Sequence, residues 1–271
     1  MTSDATRTKG EKVLNGSSSS EGKAAPSRAA VWRMFDRIAP RYDLLNRLLS
    51  LRQDVVWRNK VARYLPDVNQ QKVLDIATGT ADLLLSLFDK SDRIHSAVGI
   101  DLSPKMLQLG LKKIAAGKLD DRISLMRADA LQIPFADGSF DAVTIAFGIR
   151  NVADVPKALA EIHRVLKPGG RVLILEFSMP RNWLVRKLYP FHLRGILPRL
   201  GGMISGNRYA YRYLNETVET FPHGEEFCDL MRQAGFAEVQ AEPMTFGIAT
   251  IYHGGSSSSK VASHLYLTRD K

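Results

Sequence analysis

The sequence predicts an α/β fold built on a doubly wound, mostly parallel sheet. Three observations carry that expectation. Short apolar runs recur between residues 72 and 177 with helical stretches between them, the rhythm of strands joined by crossover helices. Gly79, Asp101, Asp129 and Gly148 stand at or just beyond the ends of four of these runs, where open parallel sheets gather their ligands. The 271 residues are 45% apolar and 24% charged, ordinary for a globular chain long enough to bury a substantial core.

Residues 1–27 are polar, with Ser17 to Ser20 in a row, and read as a disordered tail. One domain is expected over residues 28–254. Its first part, 28–66, repeats Trp32, Phe35, Ile38, Tyr42, Leu45, Leu48 and Leu49 at helical spacing. Pro40 divides that run into two expected helices, and Pro66 closes a third, from Asp54 to Tyr64. Strands are then expected at 72–77, 97–101, 123–129, 140–148 and 171–177, with helices at 82–90, 103–116 and 155–166. Ser103-Pro104 supplies a capping hydroxyl and a proline at the first helical position. Residues 181–220 interrupt the rhythm. A helix from Gly224 to Ala234 and two strands, 236–245 and 248–253, follow as an antiparallel edge hairpin. Ser256 to Ser259 lead into a tail, 255–271, whose VASHLYL segment (261–267) has strand character. No internal repeat is evident.

Charge is the unusual feature of the composition, at +10. Residues 22–66 hold ten basic and three acidic side chains, and residues 177–215 hold seven basic and no acidic ones. The stretch between is balanced and residues 216–271 are acidic. Two basic segments around a neutral middle are not the footprint of a uniformly basic nucleic-acid binder. A single cysteine, Cys228, excludes an internal disulfide and a cysteine-cluster metal site, and the six histidines are scattered. No apolar run approaches the roughly 18–20 residues of a membrane span. Asp4, Glu11 and Glu21 stand where a targeting peptide would be acid-poor. A cytoplasmic protein without metal is expected.

The chemistry-bearing residues lie at the strand ends. Asp75-Ile-Ala-Thr-Gly79-Thr80-Ala-Asp82 puts a glycine between strand and helix, where backbone can approach a ligand closely. Asp101 ends the second strand, placed to accept the hydroxyl hydrogens of a ribose. Asp129 is placed to meet an adenine amino group, and the Ala130 backbone to pair with the ring. Packing turns and helix caps are the competing readings of each motif taken alone; their convergence on one crevice favours a ligand site.

DIATGTAD, GIDLSPKML, ADALQIPFADGSFDAVTIAFGIRN and RVLKPGGRVLILEFS resemble, in order and spacing, the class I methyltransferases that use S-adenosylmethionine. FGIRN and LEFS narrow the resemblance to the C-methyltransferases of menaquinone and ubiquinone biosynthesis, over about residues 30–254. Ala77 and Ala81 depart from the family's G-x-G-x-G turn, and Ala146 stands where relatives often have serine. The resemblance implies a Rossmann-like class I methyltransferase with a seven-stranded, mostly parallel sheet and an antiparallel edge hairpin. N-terminal helices and a substrate-covering helical insertion after strand five, 181–220, complete it. It also implies a cofactor, S-adenosylmethionine, held by Thr80, Gly79, Asp101, Asp129 and Ala130. The implied substrate is a prenylated quinol, first demethylmenaquinol, with the ubiquinone precursor or another phenol as alternatives.

For catalysis, Arg150 is the leading candidate, as a permanent cation that favours a phenolate or organises a water. A structural ion pair is the competing reading. Asn151 is a candidate to orient the substrate oxygen and Tyr42 to close the site, with packing as the alternative for Tyr42. A prenylated substrate lives in the bilayer. Cations and apolar residues interleave from Arg181 to Arg212, including Trp183, Leu184, Tyr189 and Phe191, which suits a peripheral contact at the inner face of the plasma membrane. A solvated basic face is the competing reading there. Homo-oligomerisation stays open; no nucleic-acid partner is expected, because the neutral middle and acidic end argue against one, and a non-catalytic subunit on the same fold is a further alternative.

Overall fold

The computed structural model describes residues 31–180 and 208–256. The first helix, α1 (Trp32–Leu49), is followed by α2 (Gln53–Val61) and a 3-10 turn, Ala62–Tyr64. Strands and helices then alternate as β1 (Gln71–Ile76), α3 (Asp82–Lys90), β2 (Ile94–Asp101), α4 (Pro104–Ala116), β3 (Ile123–Arg127), β4 (Phe140–Ala146), α5 (Val155–Val165) and β5 (Leu166–Phe177). The described chain closes with α6 (Arg208–Thr220), α7 (Glu225–Gln233), β6 (Phe236–Met244) and β7 (Ala249–Ser256).

These strands form one seven-stranded sheet in the order β3-β2-β1-β4-β5-β7-β6. Strands β1 to β5 pair in parallel, while β7 lies antiparallel between β5 and β6. The expected hairpin is present, with β6 as the edge and β7 buried in the sheet. Side chains alternate across the strands, so Leu74 and Ile76 of β1 face one core and Val73 the other. Helices α5 and α7 cover the first face with Leu159, Ile162, Phe227 and Met231. Helices α2 and α3 cover the second with Trp57, Val61, Leu84 and Leu87. Cys228 is buried on α7, and burial raises its thiol pKa.

Three expectations change. Pro40 does not break the N-terminal run: α1 continues through it. Asp36 and Asp43, on either side of the proline, are each hydrogen-bonded to the sheet-side helices, and these tertiary bonds hold both halves in line. The Lys167-Pro168-Gly169-Gly170 segment belongs to β5, with an irregular register opposite Phe140 and Ala142. Strand β7 reaches Ser256, past the expected strand end at residue 253. In the interruption, α6 packs Tyr213 against Val31 and Met34 of α1. The two terminal tails, the VASHLYL segment and residues 181–207 of the basic, aromatic stretch lie outside the described residues.

Candidate active site

The floor of the site is the turn from β1 to α3. Ala77, Gly79 and Ala81 take φ values of 52°, 57° and 64°, a left-handed conformation that glycine adopts freely and alanine only at a cost. A side chain on Gly79 would meet nothing within 4 Å, so this turn is open toward the cavity above it. Ala77 is accommodated by its neighbour instead. A Cβ on Gly148 would lie 2.6 Å from the Ala77 methyl, so the alanine in the first turn requires a glycine after β4.

Asp101, at the end of β2, fastens this floor. Its two carboxylate oxygens accept from the Gly79 amide at 2.9 Å and the Ser103 amide at 2.8 Å. Burial raises its pKa, and the amides of Ser103, Gly79 and Leu102 oppose the shift. Each oxygen keeps a second lone-pair direction for a ligand hydroxyl. Asp129 accepts from the Leu131 amide at 2.9 Å, forming the turn that presents Ala130.

Above the floor lies a cavity of about 180 Å³. Gly79, Asp101, Asp129, Ala130 and Asn151 line it, together with Ala146 and Phe147 after β4. Val31, just before α1, and Trp32, Phe35 and Tyr42 of α1 form its roof. Thus six of the eight residues chosen from sequence border one space: Tyr42, Gly79, Asp101, Asp129, Ala130 and Asn151. Thr80 and Arg150 are not among its lining residues.

Thr80 is 2% exposed, and its hydroxyl donates to Asp43 at 2.7 Å and accepts from Lys113 at 2.9 Å. Its side chain thus ties the floor of the site to the roof. Arg150 is likewise committed. Its Nη1 donates to Glu176 Oε1 at 2.5 Å and to the Phe147 carbonyl at 2.7 Å. Glu176 is fully buried and Arg150 is 4% exposed. The competing structural ion pair therefore describes the guanidinium, whose charge Glu176 balances. Arg150 Nε and Asn151 Oδ1 have no hydrogen-bond partner, although both are buried. A free donor and a free acceptor on adjacent residues are costly unless something polar joins them.

Tyr42 is packed edge-on against Phe35, with ring centroids 6.0 Å apart. Burial pushes its hydroxyl above the ordinary value, with Asn46, Arg58 and Arg150 opposing.

Sequence reasoning missed the residues that hold the roof. Asp36 accepts from the Ser103 hydroxyl at 2.8 Å and the Lys105 amide at 3.0 Å. Burial opposes its ionisation, but these bonds and the Lys105 charge outweigh it and lower its pKa. Farther along, Arg47 and Arg58 pair with Asp54, and Lys113 bridges Asp43 and Asp82. Glu176 was also missed. A carboxylate inside the apolar run RVLILEF was its signal, since a buried charge needs a partner.

The residues fit S-adenosylmethionine. A side chain on Gly79 would fill open space beside the carboxylate of Asp101, where a ribose would lie. Leu102, Met106 and Leu131 give the adjoining wall an apolar surface, suited to a flat base. Among the described residues, no group of three or more His, Cys, Asp or Glu could hold a metal ion.

The sheet order, the β1 turn and the covered cavity define a class I S-adenosylmethionine-dependent methyltransferase fold. A putative S-adenosylmethionine-dependent methyltransferase from Methanococcus maripaludis shares it, with a TM-score of 0.61, 20% identity, and coverage of 84% of this chain and 96% of that one. So does phosphoethanolamine N-methyltransferase 2 of Haemonchus contortus, at a TM-score of 0.61 and 17% identity, over 87% of this chain and 61% of that one. Residues 23–256 match the ubiE/COQ5 methyltransferase family, and the chain belongs to it. It is 48% identical over 221 residues to a demethylmenaquinone methyltransferase of Thermus thermophilus, covering 82% of this chain and 99% of that one. It is 46% identical over 224 residues to the ubiquinone/menaquinone biosynthesis C-methyltransferase UbiE of Geotalea daltonii, covering 83% and 95%.

Proposed function

We propose that this methyltransferase methylates a ring carbon of demethylmenaquinol. The supporting observation is the turn after β4, where Asn151, a residue of the cavity lining, has its Oδ1 buried and unpartnered. A quinol offers what this wall lacks, an O–H donor on a flat apolar ring. The name of the Thermus relative points the same way. That of the Geotalea relative covers both quinone pathways, which keeps the ubiquinone precursor as the second reading.

S-adenosylmethionine supplies an electrophilic methyl on a sulfonium. The chain has to align the quinol and raise the electron density of one ring carbon. A phenolic hydroxyl has a pKa of about 10, and weakening its O–H bond pushes density onto the adjacent carbon. Asn151 accepts that hydrogen and sets the ring's orientation. Arg150, held by Glu176 and the Phe147 carbonyl, does not line the cavity; its role is to fix the turn that carries Asn151 and to set a positive charge behind it. Tyr42 donates from the roof. Transfer would exchange the sulfonium carbon–sulfur bond for a carbon–carbon bond, leave S-adenosylhomocysteine, and release the ring proton to water as the aromatic ring is restored.

Residues bordering this crevice also suit the roles proposed for Gly79, Asp101, Asp129 and Ala130 around the cofactor. The domain limits proposed are 28–254, with 28–66 as the roof and 181–220 as the substrate cover. No helix among the described residues is long and apolar enough to cross a membrane. A peripheral contact with the bilayer that carries the substrate is part of the proposal.

The test is incubation of the enzyme with methyl-labelled S-adenosylmethionine and each reduced quinone precursor in turn. Label on the menaquinone ring carbon is expected. Label only on the ubiquinone precursor, or on neither, overturns the reading.

A further inference from the structure

Two turns near the cavity present large apolar side chains to solvent from a backbone conformation that such residues avoid. Leu51 and Arg52 join α1 to α2 with φ of 51° and 63°, and Leu51 is 76% exposed. Thr245 and Phe246 join β6 to β7 with φ of 44° and 58°, and Phe246 is 73% exposed. In each turn the left-handed backbone is unfavourable, and the exposed side chain gains nothing from the protein's own core. Neither cost is offset by burial among the described residues.

The two turns are fastened to each other and to the site. Trp57 Nε1 of α2 donates to Thr245 Oγ1 at 2.9 Å, and Thr245 Oγ1 donates to Gln53 Oε1 at 3.3 Å. The Trp57 ring lies 6.1 Å from that of Phe147, which lines the cavity. Ser178, just past β5, donates its amide to the Ile248 carbonyl and its hydroxyl to the Gly247 carbonyl. Both apolar tips therefore stand on rigid supports at the carboxyl end of the sheet, beside the cavity.

The charge around them is one-sided. Arg52 is exposed next to Leu51. Of the eight basic side chains in residues 31–66, Arg47 and Arg58 are paired with Asp54 and Asp82, and Arg52 is the cation that stands at the exposed turn. An exposed apolar tip beside an exposed arginine complements an apolar phase with an anionic surface.

We propose that Leu51 and Phe246 are paired wedges that enter the headgroup region of an anionic bilayer, with Arg52 on lipid phosphate, and hold the cavity beside the membrane. This deepens the reading above, because a prenylated quinol is delivered from that phase.

The experiment is co-sedimentation with vesicles of phosphatidylglycerol and phosphatidylcholine, and of phosphatidylcholine alone. Wild type is expected to bind the anionic vesicles. Removing both wedges, Leu51→Ser with Phe246→Ser, is expected to weaken binding roughly a hundredfold, about tenfold for each side chain. Arg52→Glu is expected to weaken binding to the anionic vesicles only. A dye on Phe246→Cys is expected to shift to the blue when those vesicles are added. Turnover of a short-tailed, soluble quinol should be unchanged in all variants. Absence of wild-type binding, or equal binding by the double serine variant, overturns the proposal. So does a lipid-free dimer in sedimentation velocity that the double variant dissolves, since the wedges would then be a contact between copies. Vesicle binding as expected with no turnover on any quinol would leave the surface standing and remove the substrate reading.

Discussion

Arg150 Nη1 lies 2.5 Å from Glu176 Oε1, joining the turn after β4 to the end of β5 in a buried ion pair. Arg150→Ala would leave the buried Glu176 without its ion-pair partner, with backbone amides as its remaining donors, a loss of about 3–5 kcal/mol of stability. Turnover is expected to fall as well, with cofactor affinity near normal in the folded fraction. The double change Arg150→Met with Glu176→Gln should restore most of the stability and none of the turnover. Urea denaturation and turnover assays separate the two effects. Full activity in the double variant would remove Arg150 from the chemistry.

Asp101→Ala should weaken S-adenosylmethionine binding by about tenfold to a hundredfold, since charged hydrogen bonds contribute about 1.5–3 kcal/mol. The Gly79 amide would also lose its acceptor. Calorimetry that returned the wild-type affinity would refute the cofactor role given to this carboxylate.

Tyr42→Phe should lower kcat while leaving the shape of the pH–rate profile intact between pH 6 and 9, roughly the range in which a raised tyrosine stays neutral. Its hydroxyl is held above the ordinary value by burial. Loss of a titrating limb in the variant would show that Tyr42 exchanges a proton during turnover.

Asp75 is buried at the centre of the sheet and accepts from Thr144 on β4 at 2.6 Å. Burial raises its pKa from 3.8 to about 6, against the pull of the Thr144 hydroxyl. The folded state thus holds this proton more tightly than the unfolded chain does. The resulting stabilisation is present in full below pH 3.8 and is lost as pH rises through 6. Asp75→Asn should therefore gain on wild type between pH 4 and pH 7.5, by about 2–3 kcal/mol. Denaturation curves at the two pH values check this, and an equal difference at both would refute it.

Gly148→Ala should destabilise the protein by about 1–3 kcal/mol through overpacking against the Ala77 methyl. Ala77→Gly should rescue it, because it removes that methyl and suits the left-handed backbone at the same position. A double-mutant cycle by thermal denaturation would measure the coupling. Additive effects would mean that the two positions do not share this space.

Much of the site was legible because local chemistry wrote it. Gly79, Asp101 and Asp129 stand at strand ends that periodicity alone located, and the sheet carries those ends to one cavity. The Ser103 cap was readable for the same reason: its hydroxyl serves an amide three residues away. Pro40 misled because its effect on α1 depends on bonds from Asp36 and Asp43 to residues more than thirty positions distant.

The sequence by itself determined the alternation of strands and helices, the acidic strand ends and the family, all of which follow from short-range pattern and motif spacing. Only the tertiary structure decided which side chains the cavity receives and which are used to build it. Thr80 and Arg150 read as site residues from their neighbours in the chain, yet each is held by a carboxylate from elsewhere, Asp43 and Glu176. The physical reason is that a buried polar group takes whichever partner the fold brings within hydrogen-bonding distance, and separation along the chain carries no information about that partner.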